Sequence, residues 1–267
     1  MEKTEEKWRE PTEGFEFDED TVVVTEEHQT EKLLACGLDS SVFGEFVDAS
    51  FYIGIAIHAG IENGISAEGN VNMLQKLEQH RRVKLGESLT VKGTIRKITE
   101  VPRGITIDTD VWFDDEEGNR AFTVTRRSLK PDPAKTSRRG AGDRPPPVVE
   151  DVSLLEAFDA YQLTAEMVKS YSMDGNSIHY EMDAANKAGF RAPLIGGGMG
   201  VHYLLATIWE HCTPTEFDLD IFFRRPIFWD DHFRVYASID ESWESICLGR
   251  QGKVLTEARI NRLVKAI

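Results

Sequence analysis

The most informative part of the sequence is residues 171–200, YSMDGNSIHYEMDAANKAGFRAPLIGGGMG. This segment places Asp174, Asn176 and His179 within six positions, on a polar loop between a short predicted helix and a long apolar one. A carboxylate and an imidazole five residues apart on one loop can contact the same water molecule. The aspartate can then take one proton from the water, and the histidine can hold or donate the other. The spacing therefore predicts acid–base chemistry on water.

Four glycines follow this loop, Gly196, Gly197, Gly198 and Gly200, at the start of the predicted apolar helix. The first N–H groups of a helix have no intrahelical acceptor, and the helix dipole makes this end positive. Glycine has no side chain that would keep a ligand away from these groups. A thioester carbonyl oxygen bound there, at Gly197 or Gly198, would be polarised as in an oxyanion hole.

The elements around this segment occur in the same order in both halves of the chain. In the C-terminal half we predict a strand over residues 160–163, a helix over 164–171, the long helix over 193–209, and strands over 217–223, 233–239 and 253–262. In the N-terminal half we predict a strand over 21–25, a helix over 26–34, a helix buried on all sides over 49–61, and strands over 71–77, 88–98, 106–113 and 121–129. A turn over residues 114–119 joins the last two strands as a hairpin.

This repeated order predicts two copies of one α+β unit, each with a long buried helix and several antiparallel strands. We assign residues 1–20 to an acidic N-terminal arm and 21–130 to an N-terminal unit without a catalytic motif. Residues 131–150 form a proline-rich linker, and residues 151–267 form a C-terminal unit that carries the active site.

The charge balance restricts the partners of the protein. Of 267 residues, 31 are Lys or Arg and 46 are Asp or Glu, for a net charge of −15. This argues against non-specific binding to nucleic acid and against attachment to an anionic membrane. The sequence shows no signal peptide and no apolar run long enough to span a bilayer, so we expect a cytoplasmic protein. Cys36, Cys212 and Cys247 have no C-x-x-C spacing, which predicts small buried side chains rather than disulfides or a zinc site.

The segments DGNSIH and AGFRAPLIGGGM resemble the signature of the MaoC-like, or hydratase 2, family, which runs approximately (S/G)-D-x-N-P-(L/I)-H and then G-F-x-x-P-I-x-H-G-(L/M). The resemblance implies a double hotdog, in which antiparallel sheet wraps a long helix in each unit. It also implies an (R)-specific enoyl-CoA hydratase, which adds water to enoyl thioesters or removes it from (R)-3-hydroxyacyl thioesters. Asp174 and His179 match the catalytic pair, Asn176 the supporting amide, and Gly197 or Gly198 the backbone donor to the thioester oxygen.

Three positions depart from the family pattern. Met173 stands where the family usually has Gly, Ser177 where it has Pro, and Gly196 where it has His, with one extra residue between Pro193 and Met199. The N-terminal unit has no Asp-x-Asn-x-x-His pattern. Two-unit members of the family commonly keep one active site, and their other half lends space for the acyl chain. The resemblance implies no metal, nucleotide or redox cofactor, coenzyme A as part of the substrate, and a possible homodimer.

Basic side chains in this acidic chain are candidates for contacts to the phosphates of coenzyme A. The candidates are Arg126, Arg127, Arg138, Arg139, Arg224 and Arg225. Two further functions stay open. One is a hydratase for a short branched or dicarboxylic acyl-CoA, such as a mesaconyl-type thioester, whose carboxylate would face basic residues near the linker. The other is a non-catalytic acyl-thioester-binding protein, favoured by the three departures. His58 and His202, inside the two apolar helices, are predicted to be hydrogen-bonded core side chains.

Overall fold

The structure is a computed structural model that describes residues 8–135, 145–173, 176–238 and 243–266. Its helices are α1 (Glu26–Ala35), α2 (Phe51–Glu62), α3 (Ala165–Ser172), α4 (Met182–Lys187) and α5 (Gly197–Cys212). Its strands are β1 (Asp20–Val23), β2 (Val71–Gln79), β3 (Ser88–Val101), β4 (Gly104–Asp114), β5 (Arg120–Pro131), β6 (Glu156–Gln162), β7 (Pro214–Phe223), β8 (His232–Ala237), β9 (Ser245–Arg250) and β10 (Lys253–Lys265).

The ten strands form one antiparallel sheet in the order β1-β3-β4-β5-β2-β7-β10-β9-β8-β6. From the centre outward, each half of the sheet has the same order: β2-β5-β4-β3-β1 on one side and β7-β10-β9-β8-β6 on the other. Strands β2 and β7 join the halves, with Leu77 opposite Leu219. The predicted α+β architecture of two similar units is therefore confirmed.

The long helices α2 and α5 pack on the same continuous core as the sheet. Every residue of α5 from Met199 to Trp209 is buried, because this stretch has no polar face that could be turned to solvent. The prediction that residues 49–61 are buried on all sides is wrong. His58 is exposed and Ile57 is only half-buried, because α2 packs on the core with one face and lines a cavity with part of the other.

Strand β9 and helix α4 were not predicted from the sequence. Five of the six residues of β9 are buried, so this strand lacks the alternation of apolar and polar residues that marks a half-buried strand. Helix α4 spans six residues, too few for a helical period to be recognised. Both elements are short, and neither changes the order of the units.

The described part of the acidic arm lies along β3. The Phe17 amide donates to the Gly93 carbonyl at 2.8 Å, and the Phe17 ring is buried in the core. A Cβ at Gly93 would lie 2.6 Å from Phe17 Cδ2, so this close approach requires glycine.

The three cysteines are buried and free, as predicted. Within the described segments, no helix is long and apolar enough to cross a membrane.

Candidate active site

The start of α5 is an open helix N-terminus. Gly196 is its N-cap and offers no side chain to the first turn. Among the described residues, the N–H groups of Gly197, Gly198 and Met199 have no acceptor. Gly200 is the first to bond within the helix, at 3.4 Å to the Gly196 carbonyl. These unpaired donors at the positive end of the helix dipole can bind an anionic or carbonyl oxygen.

The loop before α4 brings His179 over this helix start. Residues Ser177–His179 form a short 3₁₀ turn, capped by the Asn176 carboxamide oxygen, which accepts from the Ile178 amide at 3.2 Å. His179 Nδ1 lies 2.7 Å from the Leu194 carbonyl and donates to it, so Nε2 is left as the acceptor. His179 Nε2 lies 3.7 Å from the place a Cβ would take at Gly196.

The chemical state of His179 follows from these surroundings. Burial lowers the pKa of His179, and the hydrogen bond to Leu194 opposes this only in part. The imidazole is therefore neutral at pH 7, with a lone pair on the nitrogen that faces the helix start. Such a group accepts a proton or a hydrogen bond from a bound water molecule.

The carbonyl that orients His179 is held by a backbone bridge. Leu194 and Phe228 form an isolated antiparallel bridge, and the Trp229 amide donates to the Pro193 carbonyl at 3.0 Å. The segment before α5 is therefore hydrogen-bonded to the connection between β7 and β8. The Leu194 carbonyl, held in this way, fixes the tautomer and the ring orientation of His179.

Three further groups surround the glycines. A Cβ at Gly197 would lie 2.8 Å from Phe223 Cζ and 3.3 Å from Asn72 Nδ2, so this position has no room for a larger residue. A Cβ at Gly198 would lie 3.7 Å from the Tyr171 hydroxyl. Asn72 Oδ1 is buried and has no hydrogen-bond partner within the described segments. Asn72 and Tyr171 were missed from the sequence, because neither stands in a recognisable motif.

A buried network lies behind Tyr171. The Tyr171 hydroxyl is 2.8 Å from His202 Nε2, and His202 Nδ1 is 2.6 Å from Asp48 Oδ2. Both His202 and Asp48 are fully buried. His202 is thus a hydrogen-bonded core histidine, as predicted, whereas the exposed His58 is not. Asp48 could not be linked to His202 from the sequence, because only the packing of the two units brings them together.

The remaining predicted residues lie in different places. Asp174, Arg138 and Arg139 lie outside the described residues, so their predicted roles stay predictions. Arg127 makes two hydrogen bonds of 2.7 Å to Asp108.

The last three candidates have different surroundings. Arg224 pairs with Glu257 at 2.6 Å and donates to the carbonyls of Pro145 and Pro146. Arg225 donates to the Val254 carbonyl at 2.5 Å. Arg126 lines a cavity in the N-terminal half. The four described arginines therefore do not form one basic cluster.

Comparisons with known proteins identify the fold. No protein-family model and no curated protein matches the sequence. HtdX from Mycobacterium tuberculosis superposes with a TM-score of 0.72 at 18% identity, over 90% of this chain and 98% of that chain. A MaoC-like dehydratase from Phytophthora capsici gives a TM-score of 0.69 at 15% identity, over 94% and 95%. Rv0216 of M. tuberculosis, described as a double hotdog fold, gives 0.61 at 13% identity, over 96% and 97%.

The protein therefore has the double hotdog fold, and the fold predicted from residues 171–200 is confirmed. The likeness extends over nine tenths or more of this chain and nearly the whole of each of these structures. At such low identity the likeness is one of fold. A shared fold does not define the chemistry, which depends on the residues of the site.

Proposed function

We propose that the protein is a hydratase or dehydratase of acyl thioesters, which adds water across the C2–C3 double bond of an enoyl thioester or removes it from the (R)-3-hydroxyacyl thioester. One observation carries the proposal: a neutral His179 is fixed with its free nitrogen over an open helix start whose first N–H groups are unpaired. A protein of the same fold is described as a MaoC-like dehydratase, which favours the same reaction class.

The helix start supplies the electrophilic half of the site. The thioester carbonyl oxygen accepts hydrogen bonds from the N–H groups of Gly197 or Gly198. When water adds at C3, the electron pair of the double bond moves toward this oxygen, and negative charge develops there. Fixed backbone donors stabilise that charge without reorganisation, which is where an oxyanion site contributes most. No metal ion or redox cofactor is needed for this step.

The loop supplies the water and the proton transfers. Asp174 is the general base, which takes one proton from water as the oxygen bonds to C3. His179 Nε2 accepts a hydrogen bond from the same water and orients it. The proton is then delivered to C2 on the same face of the substrate, so atoms and charge balance over the cycle. Asn176 holds the turn that presents His179. We take coenzyme A as the acyl carrier and the cytoplasm as the place of action.

The test is the hydration of crotonyl-CoA, followed by the loss of enoyl-thioester absorbance, with free thiol measured in parallel to exclude hydrolysis. Asp174→Asn and His179→Ala are each expected to lower turnover by roughly 10²–10⁴ without loss of folding. His58→Ala is the matched control, because His58 is exposed on α2. Chiral analysis of the hydrated product tests whether it has the expected (R) configuration.

Full activity in Asp174→Asn would contradict the mechanism. If the wild-type protein is inert on crotonyl-CoA, the same assay is run on dicarboxylic, branched and long-chain enoyl-CoAs. Binding without turnover on all of them would favour the non-catalytic acyl-thioester-binding protein.

A further inference from the structure

A narrow cavity lies between α2 and the sheet in the N-terminal half. Ala56 and Gly60 of α2 form one wall, and Val111 and Val124 of the sheet form the other. The cavity is narrow, with a volume of about 30 Å³. Its walls are mostly apolar, but Arg126 lines it.

Arg126 is a half-buried cation without a counter-charge. Its Nε atom is buried and has no hydrogen-bond partner, and the described segments place no carboxylate within ion-pair distance of it. Burial lowers the pKa of Arg126 to about 10. The next residue, Arg127, points to the opposite face of β5 and is fully paired with Asp108. Buried side-chain nitrogens are nearly always hydrogen-bonded, so the unpaired Nε of Arg126 is exceptional.

The cavity adjoins the candidate active site through β2. Asn72 of β2 contacts the position of Gly197, and its Cα partner in β5 is Ser128, which lines the cavity. Arg126 is two residues from Ser128 on the same face of the strand, about 7 Å along it. The cavity therefore begins one strand pairing away from the residue that contacts the α5 start.

We propose that Arg126 binds a carboxylate at the far end of the acyl group, so that the substrate is a short dicarboxylic acyl thioester; this rests on the proposed function of the site. The guanidinium forms a bidentate pair with the carboxylate, which supplies the missing counter-charge. The apolar walls hold the carbon chain between the thioester and the acid. Asn72, with its unpaired Oδ1, lies between the two ends of the substrate.

The experiment compares enoyl-CoAs of equal carbon number that end in a methyl group or in a carboxylate. The pairs are crotonyl-CoA with fumaryl-CoA, and hexenoyl-CoA with hexenedioyl-CoA. We expect the wild-type kcat/KM for the acid to exceed that for the methyl-ended partner by roughly 10–100-fold at one of these lengths. Arg126→Met is expected to reduce this ratio to about one or below. Arg126→Lys keeps the charge but loses the planar guanidinium. Its ratio is expected to lie between those of the wild type and Arg126→Met.

Arg96→Met is the matched control, because Arg96 is a half-exposed arginine that pairs with Asp110 on the other face of the sheet. It should leave the ratio unchanged. A wild-type protein that prefers the methyl-ended thioester at both lengths would overturn the inference, and so would an Arg126→Met variant that keeps the acid preference.

Failure of the proposed function gives a different result. If the wild type hydrates neither member of a pair, calorimetry compares the binding of the saturated thioesters hexanoyl-CoA with adipoyl-CoA and butyryl-CoA with succinyl-CoA. If the acid binds more tightly and Arg126→Met abolishes this difference, the carboxylate site is supported and only the hydratase activity is contradicted. Equal Kd values for acid and methyl-ended thioesters would overturn the carboxylate site.

Discussion

The starts of α2 and α5 occupy equivalent places in the two units but differ in the hydrogen bonding of their first N–H groups. Each helix follows an isolated antiparallel bridge, Phe46–Lys84 before α2 and Leu194–Phe228 before α5. At α2, the Asp48 carboxylate accepts from the Ser50 amide at 2.9 Å and from the Ser50 hydroxyl at 2.7 Å. The first N–H groups of α2, those of Phe51, Tyr52 and Ile53, donate to the backbone carbonyls of Asp48, Ala49 and Ser50. At α5, the equivalent N–H groups have no acceptor among the residues described.

The difference shows how one fold is used for two purposes. At α2, backbone carbonyls satisfy the first N–H groups, and the Asp48 carboxylate just before the helix holds Ser50 and His202, so this end of the unit is part of the core. Gly196 leaves the start of α5 open, so its donors remain available to a ligand. In the proposed function, one copy of the element serves stability and the other serves binding.

The largest expected effect is on stability, at the closed helix start. Asp48→Ala removes the buried partner of His202 and of the Ser50 amide, and we expect the free energy of unfolding to fall by about 3–5 kcal/mol. Urea unfolding followed by circular dichroism measures this. Asp48→Asn keeps the shape and some of the hydrogen bonds, and is expected to lose less. A loss under about 1 kcal/mol in Asp48→Ala would mean that the network is not a core element.

The next effect converts the open start into a closed one. The Gly196 backbone (φ −65°, ψ 154°) suits any residue, and a Cβ there would lie 3.7 Å from the nearest atom, His179 Nε2. In Gly196→Asp, the new carboxylate caps the free N–H groups. We expect kcat/KM for the enoyl thioester to fall by roughly 10²–10³, while the free energy of unfolding rises by only about a few tenths of a kcal/mol, because glycine is itself a tolerated N-cap.

Gly196→Ala is the matched control for this variant, because it adds the Cβ without the carboxylate. It should retain most of the activity that Gly196→Asp loses. Equal losses in the two variants would mean that the helix start acts through its shape and not through its unpaired donors.

The smallest effect concerns the titration of His179 above the open start. Because burial lowers its pKa, the neutral form with the proton on Nδ1 should persist below about pH 6.5, the usual midpoint for histidine. Its contribution to stability is complete above that pH and declines as the pH falls, because the unfolded chain binds the proton first. Long-range proton–nitrogen correlation spectra, assigned with His179→Gln, give the tautomer and the midpoint. A midpoint above pH 6.5 would contradict the buried position.

Most of the fold was predictable because its signals are local. The alternation over residues 88–98 and the acidic turn at 114–119 are complete within a few residues, and β3 and the β4–β5 hairpin formed there. The loop with Asn176 and His179 was predictable for the same reason.

The rest depends on contacts between distant parts of the chain. Arg126 and Arg127 are identical as residue types, and only the strand register decides which one enters the cavity. The position of Asn72 beside Gly197 depends on the pairing of β2 with β7. No spacing in the sequence carries this information.

The place of β2 at the centre of the sheet has a consequence for how the chain is made. Gln75 of β2 pairs with Ile221 of β7, so this partner is synthesised roughly seven to thirty seconds later at about 5–20 residues per second. Until then β2 is an unprotected edge strand on a nascent half-molecule. Its charged residues Lys76 and Glu78 disfavour pairing with strands of other chains. In the folded protein Lys76 forms an ion pair with Asp220. Premature termination before β7 would leave that edge available to aggregate.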